Sequence, residues 1–158
     1  MTTFLIFLHV VAAILLLGPV VVSTSMFPRQ VAESRAGGEE ATGRASVLYR
    51  ITKTYGMLSL LVPLLGGAVL ASDWETYKAN YWFHTAIVLS VIAWAILLGM
   101  VIPQQRKMMG TLGALPAADA DPADQTTNFE KSKAKATAGA GIFNLLWMLV
   151  LILMFLPD

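Results

Sequence analysis

Four runs of apolar residues alternate with polar stretches along the chain, and each run predicts a helix that crosses a membrane. The first, Phe4 to Ser23, is about twenty residues with no formal charge. That length crosses a hydrocarbon core of roughly 30 Å at about 1.5 Å per residue. The second run, Gly56 to Ala71, is interrupted by Pro63 and Gly66-Gly67, the third spans Tyr81 to Ile102, and the fourth spans Ala138 to Leu156. A backbone in lipid must satisfy its own hydrogen bonds, so all four are predicted as helices. The expected fold is an all-α integral membrane protein: one membrane domain over 1–158, a four-transmembrane-helix antiparallel bundle with helices extending into the cytoplasm. A cleaved signal peptide fits the first run poorly, because Met1-Thr2-Thr3 supplies no basic n-region and the apolar run exceeds an h-region.

The polar positions refine the boundaries. Gly56 to Ala71 alone would cover only roughly 24 Å. Ahead of it, Val47, Leu48, Ile51, Tyr55 and Leu58 recur at helical spacing with Arg44, Arg50 and Lys53 between them. One helix from Glu39 or Glu40 to Ala71 is therefore expected, after a break at Gly37-Gly38. Thr127-Asn128-Phe129-Glu130 fits a capping box that opens the fourth helix, which would run to Leu156 and stop at Pro157. Ser72-Asp73-Trp74-Glu75 matches a second box and predicts a short helix, with Trp74, Tyr77, Tyr81 and Trp82 as an interfacial aromatic belt. Residues 110–124, rich in Ala, Gly, Pro and Asp, read as a flexible cytoplasmic linker. Pro19 and Pro63 are expected to kink their helices. Gly67/Ala71, Ala136/Ala140 and Thr137/Gly141 are small residues four apart, a spacing that lets helices approach closely. Met108-Met109 reads as adaptable apolar surface in contact with the membrane.

Charge orients the bundle. Arg29, Arg35, Arg44, Arg50 and Lys53 fall in the first connection, and Arg106, Lys107, Lys131, Lys133 and Lys135 in the third. The second connection has only Lys78, so ten of the eleven basic residues lie on one side. The positive-inside rule places that side in the cytoplasm and both termini outside the cell (plasma) membrane. Asp119, Asp121 and Asp124 sit mid-loop while the basic residues crowd the membrane ends, where lipid headgroups are the expected partners. Composition agrees: 56% of the residues are hydrophobic and 13% charged, against about 25% charged in soluble domains. The chain has no Cys, which removes disulfides, thiolate metal sites and thiol redox chemistry.

Few residues offer chemistry. His9 and His84 are the two histidines. They lie near the same ends of parallel spans, the placement a bis-histidine b-type haem requires. Phe83 and Ile87 crowd His84, and the plainer reading makes His9 a hydrogen-bonding residue within the bundle. Ser59, Ser90 and Asn144 are the remaining internal polar residues, with Asn144 expected to bond a neighbouring helix. No span carries a charge at its middle, which weighs against a small transporter. No nucleophile–base pair, phosphate loop or nucleic-acid patch is visible, so no catalytic, cofactor-binding or metal residue is assigned.

Leu8-His9-Val10-Val11-Ala12-Ala13 followed by Leu17-Gly18-Pro19 resembles the opening of a family of small four-span bacterial membrane proteins of unassigned function. The span-two glycines Gly56, Gly66 and Gly67, Trp82, and the Pro103…Arg106 exit are also similar. Within such proteins the chain looks most like the actinobacterial respiratory supercomplex association factors. The resemblance implies a non-catalytic accessory subunit without a redox centre, partnered by the cytochrome bcc and aa3 oxidase subunits of a respiratory complex. It assigns no role to His9.

Overall fold

Proline and glycine decide where the helices bend and stop. The computed structural model describes residues 1–156, with helices α1 (Thr2–Arg35), α2 (Glu39–Ser72), α3 (Trp74–Tyr77), α4 (Tyr81–Thr111) and α5 (Phe129–Met154). All but α3 are long and apolar enough to cross a membrane, which is compatible with a multi-pass membrane protein. In α1 and α4 a widened π turn, Ala13–Leu17 and Leu97–Val101, ends two residues before Pro19 and Pro103. Proline gives no N–H and its ring crowds the carbonyl four residues back, and the wider turn relieves that crowding. Pro63 acts differently. The α2 backbone breaks between Leu58 and Leu61, and the amides turn to nearer carbonyls, Leu60 N to Met57 O and Val62 N to Ser59 O. The Gly56 carbonyl, left without Leu60 N, accepts instead from Ser59 Oγ at 2.7 Å and from the Trp94 indole N–H of α4 at 3.1 Å.

The break before Glu39 and the reach of α2 back through Arg44, Arg50 and Lys53 agree with the expectation, with Glu39 and Glu40 in the first turn. The first connection is shorter than the sequence suggested. Arg29 and Arg35 lie on α1, which continues because Phe27 and Val31 are fully buried against its neighbours. Only Ala36 to Gly38 connects the helices, with Gly37 at φ 99°, where a side chain would be strained. Two caps also shift by a residue. Asn128, not Thr127, caps α5, its Oδ1 accepting from Lys131 N at 3.0 Å, so the Thr127–Glu130 box does not form. Asp73, not Ser72, caps α3, while Ser72 Oγ donates to the Val69 carbonyl. In both, the amide or carboxylate reaches an amide three residues on. The fourth helix ends at Met154, and the expected stop at Pro157 lies outside the described residues.

Two cores form. In the apolar middle, Leu17, Val20, Val62, Ala86, Leu97, Val101 and Phe143 pack together. Beyond the apolar runs, at the basic end, a second core gathers Phe27, Val31, Tyr49, Met108, Met109 and Phe129. Met108 and Met109 are thus fully buried and not the membrane-contacting surface expected of them, because the helices outlast the apolar runs and must cover each other. Of the small residues four apart, Ala136 and Ala140 are buried as expected, while close approach otherwise falls elsewhere. Gly67 and Gly141 face open space, whereas a Cβ on Gly139 would come within 3.0 Å of Val101 and one on Gly56 within 3.1 Å of Leu97.

Ion pairs tie the basic end. Arg44 reaches Glu33 across α1 and α2, Lys53 reaches Asp119, and Arg35 lies 3.7 Å from Glu130 and 4.3 Å from the Phe129 ring centroid. The segment after α4 folds back as a strap. Asp124, buried, takes both oxygens to Arg106, at 3.0 and 3.1 Å, and Arg106 also donates to the Asp119 carbonyl. The hydrogen bond to Asp119 holds the Lys53 ammonium, which lies outside the apolar run, above the usual lysine range.

Candidate functional site

The helices pair closely at the basic end and part at the other. There, the first half of α1 packs on the last turns of α2, and the first half of α4 packs on α5, with little contact between the two pairs. The gap is a cavity of about 470 Å³, within the range of small-molecule sites. Ala13, Leu17 and Gly18 of α1 line it at the π turn, Val62, Pro63 and Gly66 at the break in α2. The two local distortions that proline imposes thus shape its floor. Ile14, Met148 and Leu151 stand on its rim and are largely exposed, so it opens sideways between α1 and α5.

Four lining residues carry a side-chain nitrogen or oxygen: His9, Ser90, Asn144 and Trp147. None is charged. His9 Nδ1 lies 2.9 Å from the Val62 carbonyl. A carbonyl only accepts, so Nδ1 carries the proton, and in the neutral ring Nε2 is left as an acceptor. Gly66 makes this approach possible, since a Cβ there would sit 3.2 Å from His9 Cε1. Ser90 Oγ donates to the Ala86 carbonyl at 2.8 Å and keeps its lone pairs. Asn144 donates to Ser25 Oγ of α1 at 2.9 Å, the interhelical bond expected of it. Its Oδ1, and the Trp147 indole N–H one turn later, are buried with no hydrogen-bond partner among the described residues. Each such orphan costs about 1–3 kcal/mol.

His84 is placed elsewhere. It lies exposed on α4, bonded to the Asn80 carbonyl of its own helix, and is not among the residues lining the cavity. The two histidines are therefore not brought to one site. Among the described residues no group of three or more His, Asp or Glu is arranged to hold a metal ion. Trp94 and Trp147 belong to no motif in the sequence. Their signal was depth: tryptophan favours the membrane interface, and one in mid-span needs a partner for its N–H.

A second groove, between α2 and the strap, is lined by Tyr49, Arg50, Lys53, Met57 and Pro116. Arg50 makes no ion pair among the described residues. Comparisons with protein-family models, with curated proteins and with solved structures each find no match.

Proposed function

We propose that the chain is a non-catalytic accessory subunit that packs on a larger membrane complex, helix against helix in lipid. The respiratory cytochrome bcc–aa3 assembly is the complex that the sequence resemblance implies. In this reading the chain is an antiparallel four-span bundle in the plasma membrane. Both termini lie outside, and the basic end stands in the cytoplasm among anionic headgroups, with Arg50 and Lys107 facing them.

One observation carries the reading. Ala134, Ala138, Gly141, Leu145, Met148 and Ile152 are all exposed and follow one another at alternating steps of four and three along α5. That is the seam of a left-handed helix pair. No helix of this chain covers it, and nothing lies within 4 Å of a Cβ placed on Gly141. Its small residues allow close approach at one end and its large ones fill a partner's grooves at the other.

The test is purification in mild detergent with a photocrosslinking residue at Leu145. Crosslinks to oxidase or bcc subunits are expected, and Gly141→Phe should abolish co-migration while leaving the isolated protein's melting temperature unchanged. If the wild-type protein never co-migrates with those subunits and its deletion leaves the complex intact, the proposal fails. A crosslink between two copies of the chain would replace it with self-association.

A further inference from the structure

The cavity wall has a hydrogen-bonding bias that packing does not explain. Three of its polar atoms are acceptors: His9 Nε2, Ser90 Oγ and Asn144 Oδ1. One, Trp147 Nε1, is a donor. Everything else on the wall is apolar. Trp147 is more than nine-tenths buried, and its Nε1 and Asn144 Oδ1 both lie just beneath the wall, closed to solvent and without a partner. Helices packed in lipid ordinarily satisfy such groups against one another.

We infer that this cavity is a binding site for a neutral, hydroxyl-bearing amphiphile: a head with one or two O–H groups on an acyl or isoprenoid tail. The head donates to His9 Nε2, which is open; small rotations of the Asn144 amide and the Trp147 indole let it also donate to Asn144 Oδ1 and accept from Trp147 Nε1. The lining holds no Lys, Arg, Asp or Glu, so a phosphate or carboxylate head would be stranded without a counter-charge. The tail leaves through the rim at Ile14, Met148 and Leu151 into surrounding lipid. The assignment requires α1 and α5 to lie in a bilayer. It does not depend on a partner complex.

Two kinds of membrane molecule share this chemistry, reduced quinols and diglycerides, and the experiment separates them. The full chain in phosphatidylcholine nanodiscs is titrated with a decyl-tailed benzoquinol, its dimethyl ether, and dioctanoylglycerol, following bound probe by mass spectrometry. At least one hydroxyl-bearing probe should bind at one per protein, and the quinol about tenfold or more tighter than its ether, the equivalent of losing about 1.4 kcal/mol of hydrogen bonding. The tighter of quinol and diglyceride names the source. His9→Phe, which removes the open acceptor, and Ala13→Leu, which fills the cavity, should each weaken binding about tenfold. Should either variant misfold, a quinol with a diazirine-bearing tail is used on the wild-type protein and should label Ile14, Met148 or Leu151. Equal binding of quinol and ether, retention of phosphatidylcholine alone, or labelling confined to other faces overturns the assignment. Extraction of the protein from membranes by carbonate without detergent would instead refute the membrane reading itself.

Discussion

Substituting Gly110 by Ala should loosen the strap that closes the basic end. Gly110 stands in the last turn of α4, where Ala is favoured over Gly by about 1 kcal/mol. Here the gain is outweighed. A Cβ on Gly110 would lie 2.6 Å from Asp124 Cβ and equally close to its carboxyl group, far inside the roughly 3.5–4.0 Å of an ordinary carbon contact. Asp124 cannot swing aside freely, because it is buried and held by two bonds from Arg106. Breaking a buried pair costs about 3–5 kcal/mol. Arg106 is about a third exposed and retains the Asp119 carbonyl and Asp121, so the lower end of that range applies. Net of helix propensity, Gly110→Ala should cost the strap about 1–3 kcal/mol. The assay is hydrogen exchange of the amides over 112–126, which reads the free energy of local opening directly. The decisive comparison is the same change in an Asp124→Gly background. With the obstructing side chain gone, only helix propensity remains, and Gly110→Ala should now stabilise by about 1 kcal/mol. A sign that stays the same in both backgrounds would refute the steric account.

Trp94→Phe removes one of the two donors on the Gly56 carbonyl, and about 1 kcal/mol of stability should be lost in detergent melting; Ser59→Ala in addition should cost more than the sum, as the carbonyl is then orphaned. Asn144→Leu should raise the melting temperature of ligand-free protein, because it deletes a buried unpaired acceptor while Ser25 keeps its bond to Val21. The natural absence of cysteine permits a topology test: Ala117→Cys should resist an impermeant thiol reagent on intact cells, while Ala79→Cys should react.

The long helices were legible in the sequence because apolar runs of this length leave the backbone few alternatives to helix. Apolar runs, Gly37-Gly38 and the helical spacing from Val47 to Leu58 fixed the register of α2 to within a residue of its observed ends. The shift of two caps has a local cause: at Ser72-Asp73 and Thr127-Asn128 two adjacent residues compete to bind the first free amides, and the spacing rule alone cannot choose between them. The second core was hidden for a different reason. Phe27, Met108, Met109 and Phe129 are far apart in the chain and flanked by charge, so nothing local announces that they meet. The site was half visible. His9 and Asn144 stand out as polar residues in apolar runs. That His9 faces an opening and His84 does not depends on how the helices are paired, which periodicity leaves undetermined.

A pair of arms fastened at one end and free at the other behaves as a lever. The knot of Phe27, Met108, Met109 and Phe129, laced by Arg35 and Glu130, is its pivot. The space beside His9 lies between the free tips, where few contacts bridge one arm to the other. The Ala134–Ile152 ridge includes Met148, which also stands at the mouth of that space, so the outer face of α5 and the gap share one side chain.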